Sequence, residues 1–214
     1  MKQDELDQVL FSLSSRPRLL LHVCCAPCSS AVLERLCPFF DITVRYYNPN
    51  ISPKEEYDYR AEELLRLLKE FQAVKDVKAE IPEWDEAPFL QIASGLEQLP
   101  EGGDRCVKCY ELRLRDAARA AKEGGYDYFC TSLSVSPYKN AAKLNAIGNL
   151  LAEEYGVKYL TSDFKKKNGY LRSIQLSKEY HLYRQPYCGC RFSREARERL
   201  EKERAQQEMC RAEK

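Results

Sequence analysis

Leu19-Leu20-Leu21-His22-Val23 runs without a break into Cys24-Cys25-Ala26-Pro27-Cys28. The first five residues form a short apolar run with a basic approach, the pattern of a buried strand. Further strands are expected at Ile42–Tyr47, at Val74–Ile81 with period-2 alternation, at Tyr126–Leu133 and at Val157–Ser162. Helical signals lie between them. Ser52-Pro53-Lys54-Glu55 offers a cap, a first-turn proline and a capping-box glutamate for a helix reaching about Phe71. Cys106–Glu123 follows the Gly102-Gly103-Asp104 turn, and Asn140–Glu154 carries helical spacing at Leu144, Ile147, Leu150 and Leu151. Strand–helix alternation of this kind specifies an α/β fold, a parallel sheet covered by helices. Such sheets bind ligands just outside the carboxyl ends of their strands, which is where the Cys24–Cys28 turn falls. The usual occupant is disfavoured, because the chain has no G-x-G-x-x-G, no Walker sequence and no Ser-Gly-Gly pyrophosphate turn.

The chain has 214 residues and a mass of 24.9 kDa, too short for two full α/β domains. We read residues 1–164 as the α/β unit. Residues 165–214 form a basic, aromatic segment and a charged C-terminal helix, Arg194–Arg211, packed as part of the same domain. A domain this size buries roughly 70% of its unfolded surface and needs no disulfide staples. It nevertheless carries ten cysteines. Met1–Leu10 is acidic and amphipathic rather than signal-like, and no stretch approaches the apolar length of a membrane span, so a cytoplasmic protein without membrane contact is expected. In that compartment, cysteines at this density point to metal ligands or redox thiols rather than a disulfide framework.

Charge supplies a second lead. Lys plus Arg numbers 34 and Asp plus Glu 33, which excludes a general polycation. Between Lys165 and Arg191, however, seven basic residues face a single acid, a local net of +6. The same segment interleaves Tyr170, Tyr180, Tyr183 and Tyr187 with those cations. A basic patch on a neutral protein suggests a polyanionic partner met on one face.

The cysteines fall into three compact groups: Cys24-Cys25-x-x-Cys28, Cys106-x-x-Cys109 and Cys188-Gly189-Cys190. A C-x-x-C opening a helix directs two sulfurs to one side, where the helix N-terminus favours the thiolate. Four thiolates would fit a tetrahedral zinc or a four-iron cluster, and ligand count alone does not choose. A centre at the strand ends of a complete fold points to redox work. C-G-C is too tight for comfortable bidentate metal binding, but it can close a small, labile disulfide. Cys37 and Cys130 read as small core residues, and Cys210 as incidental. His22, inside a strand, reads as packing rather than ligation; His181, in the Tyr/Arg-rich stretch, is a candidate proton donor or phosphate contact.

His22-Val23-Cys24-Cys25-Ala26-Pro27, Tyr47-Asn48-Pro49-Asn50-Ile51, Arg105-Cys106-Val107-Lys108-Cys109-Tyr110, Ser136-Pro137-Tyr138-Lys139-Asn140 and Tyr183-Arg184-Gln185-Pro186-Tyr187-Cys188-Gly189-Cys190 together resemble the epoxyqueuosine reductase QueH family. The matches run in order from about residue 19 to 193. The resemblance implies a Rossmann-like layer of the HUP class and the last step of queuosine synthesis, reduction of epoxyqueuosine to queuosine in a tRNA anticodon. It further implies that Cys24, Cys25, Cys106 and Cys109 bind a 4Fe-4S cluster and that Cys188 and Cys190 form a redox-active disulfide. A second, mononuclear iron also goes with the family, and Cys28 stands where its ligand would be sought. With tRNA as partner, Lys165, Lys166, Lys167, Arg172 and Tyr170 become candidate RNA contacts. An electron donor is required, and the sequence does not identify it.

Three other functions compete. Cys25-Ala26-Pro27-Cys28 mimics the turn of a thiol–disulfide oxidoreductase, which would leave Cys106 and Cys109 unexplained. A zinc-stabilised RNA-binding module would use the cysteines without catalysis. A tRNA sulfur-transfer enzyme shares the fold class but needs ATP and the missing pyrophosphate turn.

Overall fold

The computed structural model describes residues 5–212, with the side chains of Gln207 and of residues 210–212 left out; the expectation for Cys210 lies outside the described residues. Five parallel strands form one sheet: β1 (Arg18–His22), β2 (Asp41–Arg45), β3 (Lys78–Glu80), β4 (Tyr128–Thr131) and β5 (Lys158–Tyr159), in the order β3-β2-β1-β4-β5. The helices are α1 (Glu5–Ser12), α2 (Ala26–Leu36), α3 (Lys54–Glu70), α4 (Ala87–Ala93), α5 (Asp104–Glu123), α6 (Ala141–Tyr155), α7 (Gly169–Glu179) and α8 (Arg191–Ala212).

The apolar run of β1 is buried on both faces because successive side chains alternate across the sheet. Leu19, Leu21 and Val23 join Val32, Leu33 and Leu36 of α2 and Leu64 and Leu67 of α3. Leu20 points the other way, to Leu114, Ala117 and Ala121 of α5 and Leu144 and Leu151 of α6. Each such leucine contributes roughly 1.5–3 kcal/mol by leaving water. Phe164, Leu176 and Leu182 enter the α2 side of the core, so the segment beyond residue 164 shares it. Cys130 is buried there, its Sγ 3.2 Å from the Leu160 carbonyl oxygen, and burial pushes its thiol up to about 12. Cys37 caps the end of α2 and is only half-buried against the same core.

Several expected elements are shorter. Val74 closes a 3-10 turn (Gln72–Val74), which leaves only Lys78–Glu80 to pair as the edge strand β3. β4 stops at Thr131, whose hydroxyl accepts the Leu133 N–H and starts a second 3-10 turn, Ser132–Val135. The expected Ser52 cap is corrected. Helix α3 begins at Lys54 with Pro53 at the capping position and no side-chain cap. The Ser52 N–H instead donates to the Gly189 carbonyl at 3.0 Å, tying this helix entry to the C-G-C turn. Helix α5 starts two residues before Cys106, at Asp104, whose carboxylate complements the helix dipole.

The chain winds to either side of β1: β2 and β3 lie on one side, β4 and β5 on the other. The switch point is therefore between β1 and β4, and the turns leaving these two strands are Val23–Cys28 and the Ser132–Asn140 loop.

Candidate active site

Helix α2 opens with Ala26 and Pro27, and Cys25 takes its capping position in extended backbone. One helical turn brings Cys28 back to the same face, so the Sγ atoms of Cys24, Cys25 and Cys28 lie within 4.8 Å of one another. Cys24 and Cys25 are 3.8 Å apart, close to the edge of a thiolate tetrahedron around one ion with metal–sulfur bonds of about 2.3 Å. The three sulfurs share charge unequally. Hydrogen bonds from Cys24 and Cys28, then from Gln185, hold Cys25 well below the ordinary thiol range, whereas Cys24 and Cys28 are pushed up by donating to their neighbours.

Three cations are buried around this trio. Arg60, 1% exposed, pairs through Nε with Glu56 at 2.7 Å and donates from Nη1 to the Cys188 carbonyl at 3.2 Å. Arg113, 2% exposed, donates from Nε to the Cys109 carbonyl at 3.2 Å and from Nη1 to Asn48 Oδ1 at 3.5 Å. Asn48 is itself fixed by its amide bond to the Val23 carbonyl at 2.9 Å. Lys139, 8% exposed, lies 3.0 Å from Cys188 Sγ. The Nη2 atoms of Arg60 and Arg113 are buried with no hydrogen-bond partner. Each such orphan costs about 1–3 kcal/mol unless an acceptor is supplied. Soft thiolates with unspent buried cations beside them form a donor set suited to an iron or iron–sulfur centre, whose net charge is negative. The residues fit such a group.

Cys106 and Cys109 lie in the first two turns of α5. Cys106 Sγ accepts the Gly102 N–H at 3.3 Å and packs against the apolar cluster that also takes Cys24. Cys109 is buried with Phe89, Ala93 and Cys190, and burial raises its thiol. Among the described residues, the trio of Cys24, Cys25 and Cys28 is the group within single-ion reach; Cys106 and Cys109 stand outside it. The charge of Arg113, one turn beyond Cys109, acts on Cys109, Cys188 and Cys24 together.

A cavity of about 450 Å³ opens over this floor, large enough for a nucleoside. Cys24, Cys28, Arg113, Lys139 and Cys188 line it, together with Tyr138, Tyr170, Tyr187, Arg184 and Arg197. The Arg184 guanidinium carbon lies 5.9 Å from the Tyr170 ring centre. Of the four tyrosines in the basic segment, Tyr170 and Tyr187 face the cavity, whereas Tyr180 packs on Phe71 and Tyr183 on Tyr59.

The basic segment does not present one open face. Lys165 turns inward, donating to the Ser134 and Lys139 carbonyls and pairing with Asp163. Lys167 pairs with Asp7 of α1, and Arg172 makes a two-pronged contact with Glu34 of α2 at 2.6 and 2.8 Å. Lys166, Lys167 and Arg172 border a separate cavity of about 190 Å³. Tyr170 alone of the five candidate RNA contacts lines the larger cavity.

His22 is fully buried. Its Nε2 faces the Tyr47 carbonyl at 3.1 Å and so carries the proton; Nδ1 accepts from the Thr131 hydroxyl at 2.9 Å. Burial, then the Arg113 charge, lowers it to about 3, so it is a neutral packing group near pH 7. His181 is exposed in left-handed backbone and does not line the large cavity. Arg60, Arg113, Lys139 and Gln185 went unassigned in the sequence. Lys139 and Gln185 lie inside motifs quoted above, but nothing local marks them as buried.

A family model described as epoxyqueuosine reductase QueH matches residues 19–196. The chain is 47% identical over 182 residues to the epoxyqueuosine reductase QueH of Streptococcus pyogenes serotype M1, covering 84% of this chain and 71% of that protein. It is 45% identical over 185 residues to the protein of that name from Staphylococcus epidermidis, covering 83% and 76%. The Thermotoga maritima relative of the same name is 36% identical over 181 residues, with 82% and 89% covered.

Proposed function

The chain belongs to the epoxyqueuosine reductase QueH family, and we propose that it carries out that family's reaction with thiolate-held iron and a separate dithiol, of which Cys188 lines the 450 Å³ cavity. It is an oxidoreductase, an epoxyqueuosine reductase: epoxyqueuosine at the wobble position of a tRNA anticodon is deoxygenated to queuosine. The observation that carries the cofactor reading is the convergence of Cys24, Cys28 and Cys188 on one cavity, where the buried guanidinium of Arg113 keeps an unpaired N–H donor.

Cys24, Cys25, Cys106 and Cys109 would hold a 4Fe-4S cluster, with Cys28 left as a ligand for a further iron. When bound, the cluster supplies single electrons at a potential set by its surroundings, and an open iron supplies Lewis acidity. The protein's own residues do the rest. Removing the oxygen of an epoxide as water consumes two electrons and two protons. Oxidation of the Cys188 and Cys190 thiols to a disulfide releases two of each, so one dithiol balances one substrate. Lys139, which lines the cavity with Nζ 3.0 Å from Cys188 Sγ, is a proton source at hand. Tyr170 and Tyr187 offer rings for the splayed base, worth roughly 1–3 kcal/mol per stacked base.

The direct test is anaerobic incubation of the iron-reconstituted protein with epoxyqueuosine-containing tRNA, followed by nucleoside mass analysis. Loss of one oxygen is expected, together with iron and acid-labile sulfide in the protein; Cys106→Ala should abolish both. Zinc without sulfide would overturn the cofactor reading while leaving the reductase activity to be explained.

For tRNA docking the reading favours the cavity rim over the lysine run. Arg184 is exposed beside Tyr170, whereas Lys167 is committed to Asp7. Arg184→Ala should weaken tRNA binding and lower the slope of log affinity against log salt by about one. Lys167→Ala should change that slope less. Equal slopes for both variants would return the interface to the lysine face. A cytoplasmic location goes with a tRNA substrate. No helix among the described residues is long and apolar enough to cross a membrane.

A further inference from the structure

The cavity is sized for one nucleoside, yet the proposed substrate is one nucleotide within an RNA chain. Its two covalent neighbours must therefore lie where the cavity meets solvent. Among the described residues nine large apolar side chains are left exposed, and two of them, Tyr138 and Leu200, line this cavity. Tyr138 is 77% exposed, the most of the nine, and Leu200 is 52% exposed. A lining side chain that keeps half or more of its surface in water stands at the mouth. The two come from separate segments. Tyr138 lies in the loop between the Ser132–Val135 turn and α6, and Leu200 lies on α8, one turn beyond the lining residues Ala196 and Arg197.

The Tyr138 ring is exposed on a fixed mount. Its own N–H donates to Ser136 Oγ at 3.3 Å, and the Lys139 N–H donates to the Ser136 carbonyl at 3.2 Å. Pro137 between them has its φ locked by the ring. On the other side, Lys139 is anchored inward on Glu101 Oε1 at 3.0 Å, and its carbonyl accepts from Lys165 Nζ at 3.2 Å. Asn140 then caps α6, its Oδ1 accepting the Lys143 N–H at 3.0 Å. The backbone is thus held on both sides of Tyr138, while the ring and hydroxyl meet no ring contact or hydrogen-bond partner among the described residues. Single exposed rings are common on protein surfaces. This one differs in standing at the mouth of the candidate active site beside a second exposed apolar side chain. A tyrosine on a fixed backbone also loses little freedom when a flat ligand lies on it.

We propose that Tyr138 is a specificity-determining contact whose ring stacks on a base flanking the modified nucleotide, with Leu200 adding apolar surface to the same mouth. Bases of RNA loops are splayed out and stacked on aromatic side chains in this way. The assignment rests on the tRNA reading above. It adds to Tyr170 and Tyr187, which take the modified base, a platform for that base's neighbour.

The test is fluorescence titration of the full-length protein with a synthetic anticodon stem-loop RNA that carries a fluorescent aminopurine on one side or the other of the wobble nucleotide. Stacking quenches this base. With the label on one of the two sides, the saturated wild-type complex should be dimmer than the saturated Tyr138→Ala complex. Tyr138→Ala should also weaken binding about tenfold, the size of one lost base–ring stack, and leave the slope of log affinity against log salt unchanged, since no charge is removed. Tyr138→Phe should keep both the quench and the affinity. The ring is mostly in solvent, so all three proteins should melt together. Equal brightness and affinity for wild type and Tyr138→Ala with the label on either side would overturn the assignment and leave the tRNA reading standing. A loss that Tyr138→Phe shares would overturn stacking as its basis. Failure of the wild type to bind the stem-loop at all would overturn the tRNA reading and this assignment with it.

Discussion

Cys188→Ser is expected to abolish deoxygenation of epoxyqueuosine by the pre-reduced enzyme, lowering its single-turnover rate by roughly a thousandfold or more. Serine is nearly isosteric and keeps a hydroxyl within reach of Lys139. Fold, cavity and tRNA affinity should therefore stay within about twofold of wild type, since an exchange at a half-buried, hydrogen-bonded site costs well under the global stability. What serine cannot do is form a sulfur–sulfur bond. The variant therefore loses the dithiol whose closure to a disulfide releases two electrons. Anaerobic single turnover without added reductant measures this: wild type should convert close to one equivalent of substrate, and the variant none. Full activity of Cys188→Ser with both a low-potential one-electron reductant and a dithiol would end the reservoir idea, leaving the dithiol outside the reaction.

The site's location was readable because it depends on local order. A buried apolar run followed at once by C-C-x-P-C says that the cysteines sit at a strand's carboxyl end, and β1 with its turn and α2 has that arrangement. The helix carrying Cys106 and Cys109 was equally local, announced by a Gly-Gly-Asp turn and ended by Gly124. What escaped is set by distant partners. Arg105, Arg113, Arg115 and Arg119 look alike along α5, but Arg105 turns in to the Leu96, Glu97 and Leu99 carbonyls, Arg113 to the Cys109 carbonyl and Asn48, and Arg115 outward to Glu111 and Glu154. The partners of the +6 segment were hidden for the same reason. Its charge was summed without Asp7 and Glu34, which lie far off in sequence and take Lys167 and Arg172. Lys139 sits one residue before the cap of α6, an ordinary place for a surface lysine, and only Glu101 and Cys188 make it an interior one.

Arg113→Met should move two properties in opposite directions, and this separates function from folding. In the metal-free protein, Cys24 is held protonated by its bond to Cys25, and Cys109 by burial. Arg113 then stands 2% exposed with only two weak acceptors and an unpartnered Nη2. A buried charge so poorly paired destabilises; a similarly sized apolar side chain is expected to raise stability by about 1–4 kcal/mol. For a chain of this length, that is a rise in the apo melting midpoint of roughly 2–4 °C per kcal/mol. His22 does not cancel the gain. Arg113 is the second of the causes that lower it, and burial, the first, remains, so the imidazole stays neutral near pH 7. With the thiols ionised around iron the sign reverses, because Arg113 is then a buried cation acting on Cys24, Cys109 and Cys188 together. Iron and sulfide retained after anaerobic gel filtration should fall several-fold, and deoxygenation with them. A variant that melts lower as apoprotein would make Arg113 a structural residue. One that keeps its full iron content would remove it from the metal centre, and the unpaired guanidinium would then need another anion to explain it.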